Sequence, residues 1–377
     1  MDLIPVMRPW MGDEEIAAAA AAIKSGWVAQ GPRVAQFEEA LAAYVGAGQG
    51  VAVSSCTTGL HLALHALGVG AGDEVVVPSL SFIATANAPR YVGATPVFAD
   101  VDRVTQNLTA DSISQVLTRA TKAVIVVHQI GMPADLDPIQ RLCSDKGVAL
   151  IEDAACAIGS EYQGARIGCH SEIVVFSFHP RKILTTGEGG MITTSNSDLA
   201  DRLRKLRQHG MSASAFDRHE ESSIVIEEYG EMGFNFRMTD IQAAVGIAQL
   251  DKLPTMIARR RELAGVYRDA LAGIQGLKLP GDPGYGTTNY QSYSVLMSEE
   301  FPISRNDLMA YLLSQGISTR RGVMAAHREP AFAHHPHRPL PVTEELTDSS
   351  VILPLYHDMS AEDVIRVTDS VRAAAGL

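Results

Sequence analysis

The segment FSFHPRKILTTGEGGM, residues 176–191, joins an apolar run to a cluster of basic side chains. Residues 173–178 have the apolar, β-branched character of a buried strand, and His179, Arg181 and Lys182 follow directly. A free ammonium is costly to bury beside such a strand, and a desolvated lysine loses its proton more easily. Lys182 is therefore a candidate Schiff-base nucleophile, although a loop lysine that reaches out to water fits this stretch equally well.

Other short, β-branched runs alternate with helical patterns over roughly residues 50–195. Apolar residues recur at i, i+3, i+4 and i+7 in residues 58–67, which predicts a helix there. Strands that are apolar throughout and alternate with helices are typical of a mostly parallel sheet covered on both faces. The pattern predicts an α/β fold with a seven-stranded sheet whose strands are 51–53, 74–77, 96–99, 123–127, 148–152, 173–178 and 191–194.

The segments outside this sheet predict further helices and a second domain. An Ala-rich helix is predicted over residues 14–24, and a helix over 240–253 precedes a separate basic helix. The Gly/Pro-rich segment LPGDPGYGTTNY marks a change in the sequence pattern and indicates a boundary. We predict a large domain over residues 1–255 and a smaller C-terminal α+β domain over residues 256–377.

Composition excludes several classes of protein. The 377 residues carry a formal charge of −12, which argues against nucleic acid or an anionic membrane as the main partner. The first residues lack the features of a signal peptide, and the apolar runs are too short to span a membrane. The cysteines form no CxxC pair and no metal-ligand spacing, so we expect a cytoplasmic enzyme without a metal; they are Cys56, Cys143, Cys156 and Cys169.

Three other segments suggest a ligand site. In VAVSSCTTGLHLAL (51–64), small hydroxylated residues open a helix and offer an anion site, although an ordinary helix cap explains them better alone. Asp153 ends a predicted strand at the edge where open α/β sheets bind ligands, and it could instead cap a helix. In the segment 233–250, Asn235 and Arg237 precede a helix, and a structural role is the stronger explanation.

One cofactor explains these features together. Pyridoxal phosphate (PLP) needs a lysine for a Schiff base, an anion site for its phosphate and an acid to keep its pyridine nitrogen protonated. The chain supplies the anion site, the acid and the lysine in that order.

The chain closely resembles the DegT/DnrJ/EryC1/StrS family of sugar aminotransferases, which have the aspartate-aminotransferase (type I) fold. The motifs that carry the resemblance extend nearly from end to end and include GWVAQGPRVAQFEEALA, GDEVVVPSLSFIATANA, VHQIGMPADLDPI, IEDAACAIG and FSFHPRKILTTGEGGM. The resemblance implies that Lys182 binds the cofactor covalently and shuttles a proton, and that Asp153 pairs with the pyridine nitrogen. It further implies cofactor contacts from Cys56 (backbone), Thr57 and Ser177 to the phosphate, from Phe82 by stacking, and from Asn235 to the neighbouring subunit's phosphate in a homodimer.

Two positions depart from the family pattern. Cys156 stands where the family usually has His, Gln or Glu beside the phenolic oxygen of the cofactor, and a neutral thiol is a weak donor. Ile130 stands in VHQIG where a Tyr is common, near the expected substrate. A branch of the family replaces the lysine with histidine and performs dehydration, and Lys182 argues against that reaction here.

The resemblance implies transfer of an amino group, with L-glutamate as the expected donor, to a keto-sugar carried on a nucleotide. The same fold could instead act on a non-nucleotide ketone such as an aminocyclitol precursor. An NAD-dependent dehydrogenase would need a GxGxxG turn, which the chain lacks at the first helix. A PLP-binding regulatory protein is the third alternative, but no basic DNA-binding module is evident. Tyr293, Arg320 and His327 are C-terminal candidates for substrate contact to which the sequence assigns no role.

Overall fold

A central sheet organises the first two thirds of the chain. The computed structural model describes residues 3–212 and 226–377. The α/β prediction is confirmed, because all seven predicted runs form neighbouring strands of one sheet. In spatial order the strands are β1 (Gln49–Val53), β9 (Gly190–Thr194), β8 (Ile173–Ser177), β5 (Ala149–Asp153), β4 (Thr121–Val127), β2 (Glu74–Pro78) and β3 (Thr95–Ala99). The sheet is parallel except for β9, which runs antiparallel to both of its neighbours.

Helices cover both faces of this sheet, which explains why its strands are apolar throughout. Alternate residues of β8 enter separate cores, with Val174 and Phe176 on one face and Val175 on the other. The helices in chain order are α1 (Asp13–Ser25), α2 (Pro32–Val45), α3 (Cys56–Ala66), α4 (Ile83–Tyr91), α5 (Ala110–Ser114), α6 (Leu136–Lys146), α7 (Ser197–Leu206), α8 (Asp240–Leu271), α9 (Arg305–Ser314), α10 (Pro341–Ser349) and α11 (Ala361–Ala374).

A second, antiparallel sheet forms the C-terminal part of the molecule, as the α+β prediction required. A third core lies against it and contains Tyr267, Tyr293 and, from the other end of the chain, Ile4. The strands in spatial order are β10 (Leu277–Lys278), β12 (Tyr293–Met297), β14 (Ser350–Leu353) and β13 (Arg320–Arg321). A small three-stranded sheet joins β11 (Gly286–Thr287), β6 (Glu161–Tyr162) and β7 (Ala165–Arg166).

The prediction of two separate helices after residue 240 is wrong. Helix α8 runs through Pro254 as one helix of 32 residues, and its buried Leu253 and Met256 continue the large-domain core on either side of that proline. The predicted boundary between residues 255 and 256 therefore lies inside α8, and the division into two domains stays a prediction. Among the described residues, no helix combines the length and the apolar character needed to cross a membrane.

Candidate active site

Backbone contacts fix the loop that carries Lys182 at the carboxyl end of β8. Phe178 donates its backbone N–H to the Gly189 carbonyl, and the Gln291 side chain accepts from the Ile183 N–H and donates to the Arg181 carbonyl. This segment packs tightly: a Cβ on Gly190 would lie 2.6 to 2.8 Å from backbone atoms of Ser55, Cys56 and Phe176. The absence of a side chain at that glycine therefore lets β9 approach the start of α3.

Lys182 lies in a group of four side chains that we call the inner cluster: Lys182, Cys156, Cys56 and Asp153. Its Nζ donates to the Cys156 Sγ over 3.1 Å. Burial acts to lower the pKa of Lys182, but the Cys156 and Cys56 thiols and the Asp153 carboxylate outweigh it, so the pKa is raised. The expectation that this lysine loses its proton more easily is therefore wrong, because polar neighbours accompany its burial.

Asp153 is the last residue of β5, and its carboxylate is buried and held by three donors. The Thr85 Oγ1 donates to Oδ2 over 2.9 Å, while Oδ1 accepts from the Ala155 N–H over 3.1 Å. The Cys56 Sγ lies 3.7 Å from Oδ1, and burial followed by this carboxylate raises the pKa of Cys56 well above its usual value. No helix begins after Asp153, since residues 154–160 form turns, so the helix-cap alternative does not hold.

At the start of α3, the residues that cap the helix differ from the residues that remain available to an anion. Ser55 and Thr58 form a capping box, in which the Ser55 hydroxyl accepts from the Thr58 N–H over 3.1 Å. Thr57 is half-buried, and its hydroxyl makes no hydrogen bond to another described residue. Ser177, at the end of the neighbouring β8, is also half-buried. The helix start, the Thr57 hydroxyl and Ser177 are therefore available to an anion.

Phe82 and Asn235 lie at the surface of this region. The Phe82 side chain is 67% exposed, just before α4. The segment that carries it is anchored by a bridge between Leu80 and Ala325. Asn235 is exposed and pairs through its backbone with Gln208, and no described contact joins its side chain to the inner cluster.

The three C-terminal candidates have different surroundings. Tyr293 is fully buried and stacks on Tyr267 with ring centroids 4.8 Å apart, so it belongs to the third core. His327 is buried, and its Nδ1 lies 2.7 Å from the Ser79 Oγ. Arg320 is exposed, and its guanidinium makes no hydrogen bond or ion pair with the residues that the structure describes.

Arg320 is part of a positively charged group that we call the basic rim: Arg181, Arg320 and Arg321. All three are exposed. Partial burial, followed by the charges of Arg181 and Arg321, lowers the pKa of Arg320. Arg181 directly precedes Lys182 in the chain, which connects the rim to the loop that carries the lysine.

The residues present fit PLP. The inner cluster brings together a lysine amine and a carboxylate at one sheet edge, and α3 begins beside them. No group of His, Cys, Asp and Glu suited to a metal ion occurs in residues 3–212 or 226–377. Fold and site together define a PLP-dependent aminotransferase.

The chain belongs to the DegT/DnrJ/EryC1/StrS aminotransferase family, whose model matches residues 9–372. Solved structures agree. The aminotransferase TlmJ from Streptoalloteichus hindustanus is 39% identical, with 99% of each chain covered and a TM-score of 0.91. DesI, solved in the presence of its TDP-sugar product, is 33% identical, with 100% of this chain and 93% of DesI covered and a TM-score of 0.90. A putative sugar aminotransferase from Streptococcus pneumoniae, Spr1654, is 25% identical in its PLP form, with 99% of each chain covered and a TM-score of 0.91.

The sequence did not reveal the side chains around the predicted residues. Thr85 lies three residues after Phe82 in a quoted motif, but its partner Asp153 is 68 positions further along the chain. The Gln291 contacts likewise join the C-terminal part to the Lys182 loop across 108 and 110 positions. Neither pairing leaves a local signal in the sequence, so only the folded chain shows them.

Proposed function

We propose that this protein transfers an amino group from L-glutamate to a nucleotide-linked keto-sugar in amino-sugar biosynthesis. The observation that carries the proposal is the inner cluster, where the Lys182 Nζ and the Asp153 carboxylate share Cys56 as a neighbour at the sheet edge and Lys182 also contacts Cys156. PLP withdraws electrons from a carbon beside an amine, which makes a proton on that carbon removable.

Each residue of the site then has a task. Asp153 would hold the protonated pyridine nitrogen, while the start of α3, the Thr57 hydroxyl and Ser177 would hold the phosphate. Phe82 would cover the ring with its exposed side chain. Lys182 would bind the cofactor and, once released by the amino donor, its Nζ would take the proton from the donor carbon and deliver it to the C4′ carbon of PLP.

The basic rim supports an anionic acceptor. All three guanidiniums are exposed, and those of Arg181 and Arg320 have no acidic partner among the described residues. They favour a phosphate-bearing ligand, because one guanidinium can donate two parallel hydrogen bonds to a phosphate group. Arg321 contacts Glu329 over 3.3 Å. The TDP-sugar product of DesI is consistent with such a ligand.

A non-nucleotide ketone is the second candidate, and Ile130 favours it. This β-branched residue has a φ of 50°, in the left-handed region, and it is half-buried on a short turn after β4. Strain of this kind is retained mainly at functional sites. Ile130 offers a substrate an apolar surface and no hydroxyl, which suits a ketone with fewer polar groups.

A homodimer with shared sites and a cytoplasmic location complete the proposal. Asn235 is exposed and without a described contact to its own inner cluster, which suits a role in a neighbouring subunit. Four free cysteines suit a reducing compartment.

The experiment that tests the function is release of 2-oxoglutarate from L-glutamate by the purified, PLP-loaded protein. One equivalent released per site, with a matching change in the visible spectrum, would support the donor. Acceptors are then compared as pairs with and without the nucleotide. If neither glutamate nor any other amino acid releases its 2-oxo acid, the aminotransferase proposal is contradicted. Faster turnover of the ketone without the nucleotide would favour the second candidate.

A further inference from the structure

The donors around Asp153 include a hydroxyl chain. Thr85, in the first turn of α4, donates to Asp153 Oδ2 over 2.9 Å, and the Ser81 Oγ lies 2.8 Å from the Thr85 Oγ1. All three side chains are nearly inaccessible, with exposed fractions of 1% for Thr85, 2% for Ser81 and 4% for Asp153. Water therefore has little room to replace either hydroxyl.

The direction of each hydrogen bond in this chain follows from the count of hydrogens. An ionised carboxylate only accepts, so Thr85 must give its single hydroxyl hydrogen to Asp153. The Thr85 oxygen is then left to accept, and the Ser81 hydroxyl must donate to it. Two hydroxyls aligned in the same direction polarise one another, which strengthens the bond that reaches the carboxylate.

Ser81, the outer residue of the hydroxyl chain, is held in place by the C-terminal part of the protein. The Ser81 N–H donates to the Met324 carbonyl over 3.2 Å, and the Ala326 N–H donates to the Ser79 carbonyl over 2.7 Å. His327 also holds the Ser79 hydroxyl, with its Nδ1 at 2.7 Å. The position of Ser81, and through it that of Thr85, is thus set by residues more than 200 positions away.

We infer that Thr85 is a positioning residue for the Asp153 carboxylate, and that the chain from Ser81 through Thr85 keeps this carboxylate ionised against a pyridine ring. The inference rests on the proposed role of Asp153. A pyridinium paired with a carboxylate competes with a neutral pyridine paired with a neutral acid. In a buried site the ionic pair persists only if the carboxylate keeps enough donors. Removing the Thr85 hydroxyl takes away a donor to Oδ2 and so favours the neutral pair.

The test is the nitrogen-15 resonance of the pyridine nitrogen in protein loaded with labelled PLP. The position of this resonance reports protonation of the ring and does not depend on turnover. We expect a protonated nitrogen in the unchanged protein and an unprotonated one in Asp153→Asn. The isosteric Thr85→Val should shift the resonance toward the unprotonated value and weaken PLP binding about tenfold, as the loss of a hydrogen bond to a charged group does. Thr85→Ser should restore both properties.

The outcomes separate this inference from the proposed function. A shift in Asp153→Asn with none in Thr85→Val would overturn the role of Thr85 alone. No shift in Asp153→Asn would overturn the role of Asp153 itself. If Thr85→Val fails to fold, Ser81→Ala carries the test, since it leaves Thr85 in place and should produce a smaller shift in the same direction. An unshifted resonance in Ser81→Ala would then contradict the proposed role of the hydroxyl chain.

Discussion

The side chains of the inner cluster and of the basic rim are held in place by different means. Lys182 and Asp153 have partners at 3.1 and 2.9 Å and lie on a sheet edge packed from both sides. The guanidiniums of Arg181 and Arg320 are exposed and bind no residue within the described part of the chain. The comparison suggests that the reaction is fixed by a rigid cluster, whereas the choice of acceptor depends on side chains free to adapt to a ligand.

Replacing Lys182 should produce the largest effect, because it removes both the covalent attachment and the proton carrier. We expect Lys182→Ala to lower kcat by a factor of roughly 10⁴ or more, at or above the top of the ~10²–10⁴ range typical of one acid–base group alone. Turnover and the thermal melting temperature are measured together. Lys205→Ala, on the exposed side of α7, is the matched control and should leave both unchanged. Appreciable turnover in the Lys182 variant would contradict the assignment.

Mixing two inactive variants tests whether the inner cluster of one subunit uses Asn235 of the other. Lys182→Ala and Asn235→Ala protomers that exchange would give mixed dimers in which one site keeps both residues. Random exchange of equal amounts should then leave about a quarter of all sites intact, by the symmetry of a two-fold dimer. Activity is assayed at low PLP concentration before and after exchange, with each variant alone as the control. No gain on mixing would place Asn235 in its own subunit's site or in none.

The basic rim should give a smaller effect that is confined to the acceptor. We expect Arg320→Ala to raise the KM for a nucleotide-linked acceptor about tenfold, since a hydrogen bond to a charged group is worth ~1.5–3 kcal/mol. The KM for L-glutamate should not change, and added salt should reduce the difference. Arg338→Ala, an exposed arginine on another segment, is the control. An equal rise in both KM values would show that Arg320 does not distinguish the acceptor.

The fold and part of the candidate site could be predicted from the sequence, but several contacts within the site could not. The seven strand runs, Lys182 and Asp153 lie in continuous motifs whose periodicity and residue types are visible locally, whereas only the family resemblance pointed to Cys56 and Cys156. Thr85 was not predicted, because a threonine on a helix gains its role only through a carboxylate on a distant strand. The direction of the Lys182 pKa was predicted wrongly for the same reason, since burial is readable from an apolar run and the neighbouring thiols are not. The left-handed conformation of Ile130 leaves no local signal either.

The smallest effect concerns Cys156, whose Sγ accepts a hydrogen bond from the Lys182 Nζ over 3.1 Å. The Cys156 thiol is the first of the groups that raise the pKa of Lys182 against burial. Cys156→Ala removes that group and leaves no acceptor for the Lys182 Nζ in its place, so the pKa of Lys182 should fall. More of the amine is then neutral at a given pH, and the pH profile for capture of PLP by the cofactor-free protein should move to lower pH. Cys169→Ala is the matched control, because that thiol contacts the Arg166 carbonyl and not the lysine. A profile that stays in place or moves to higher pH would show that Cys156 does not set the protonation of Lys182.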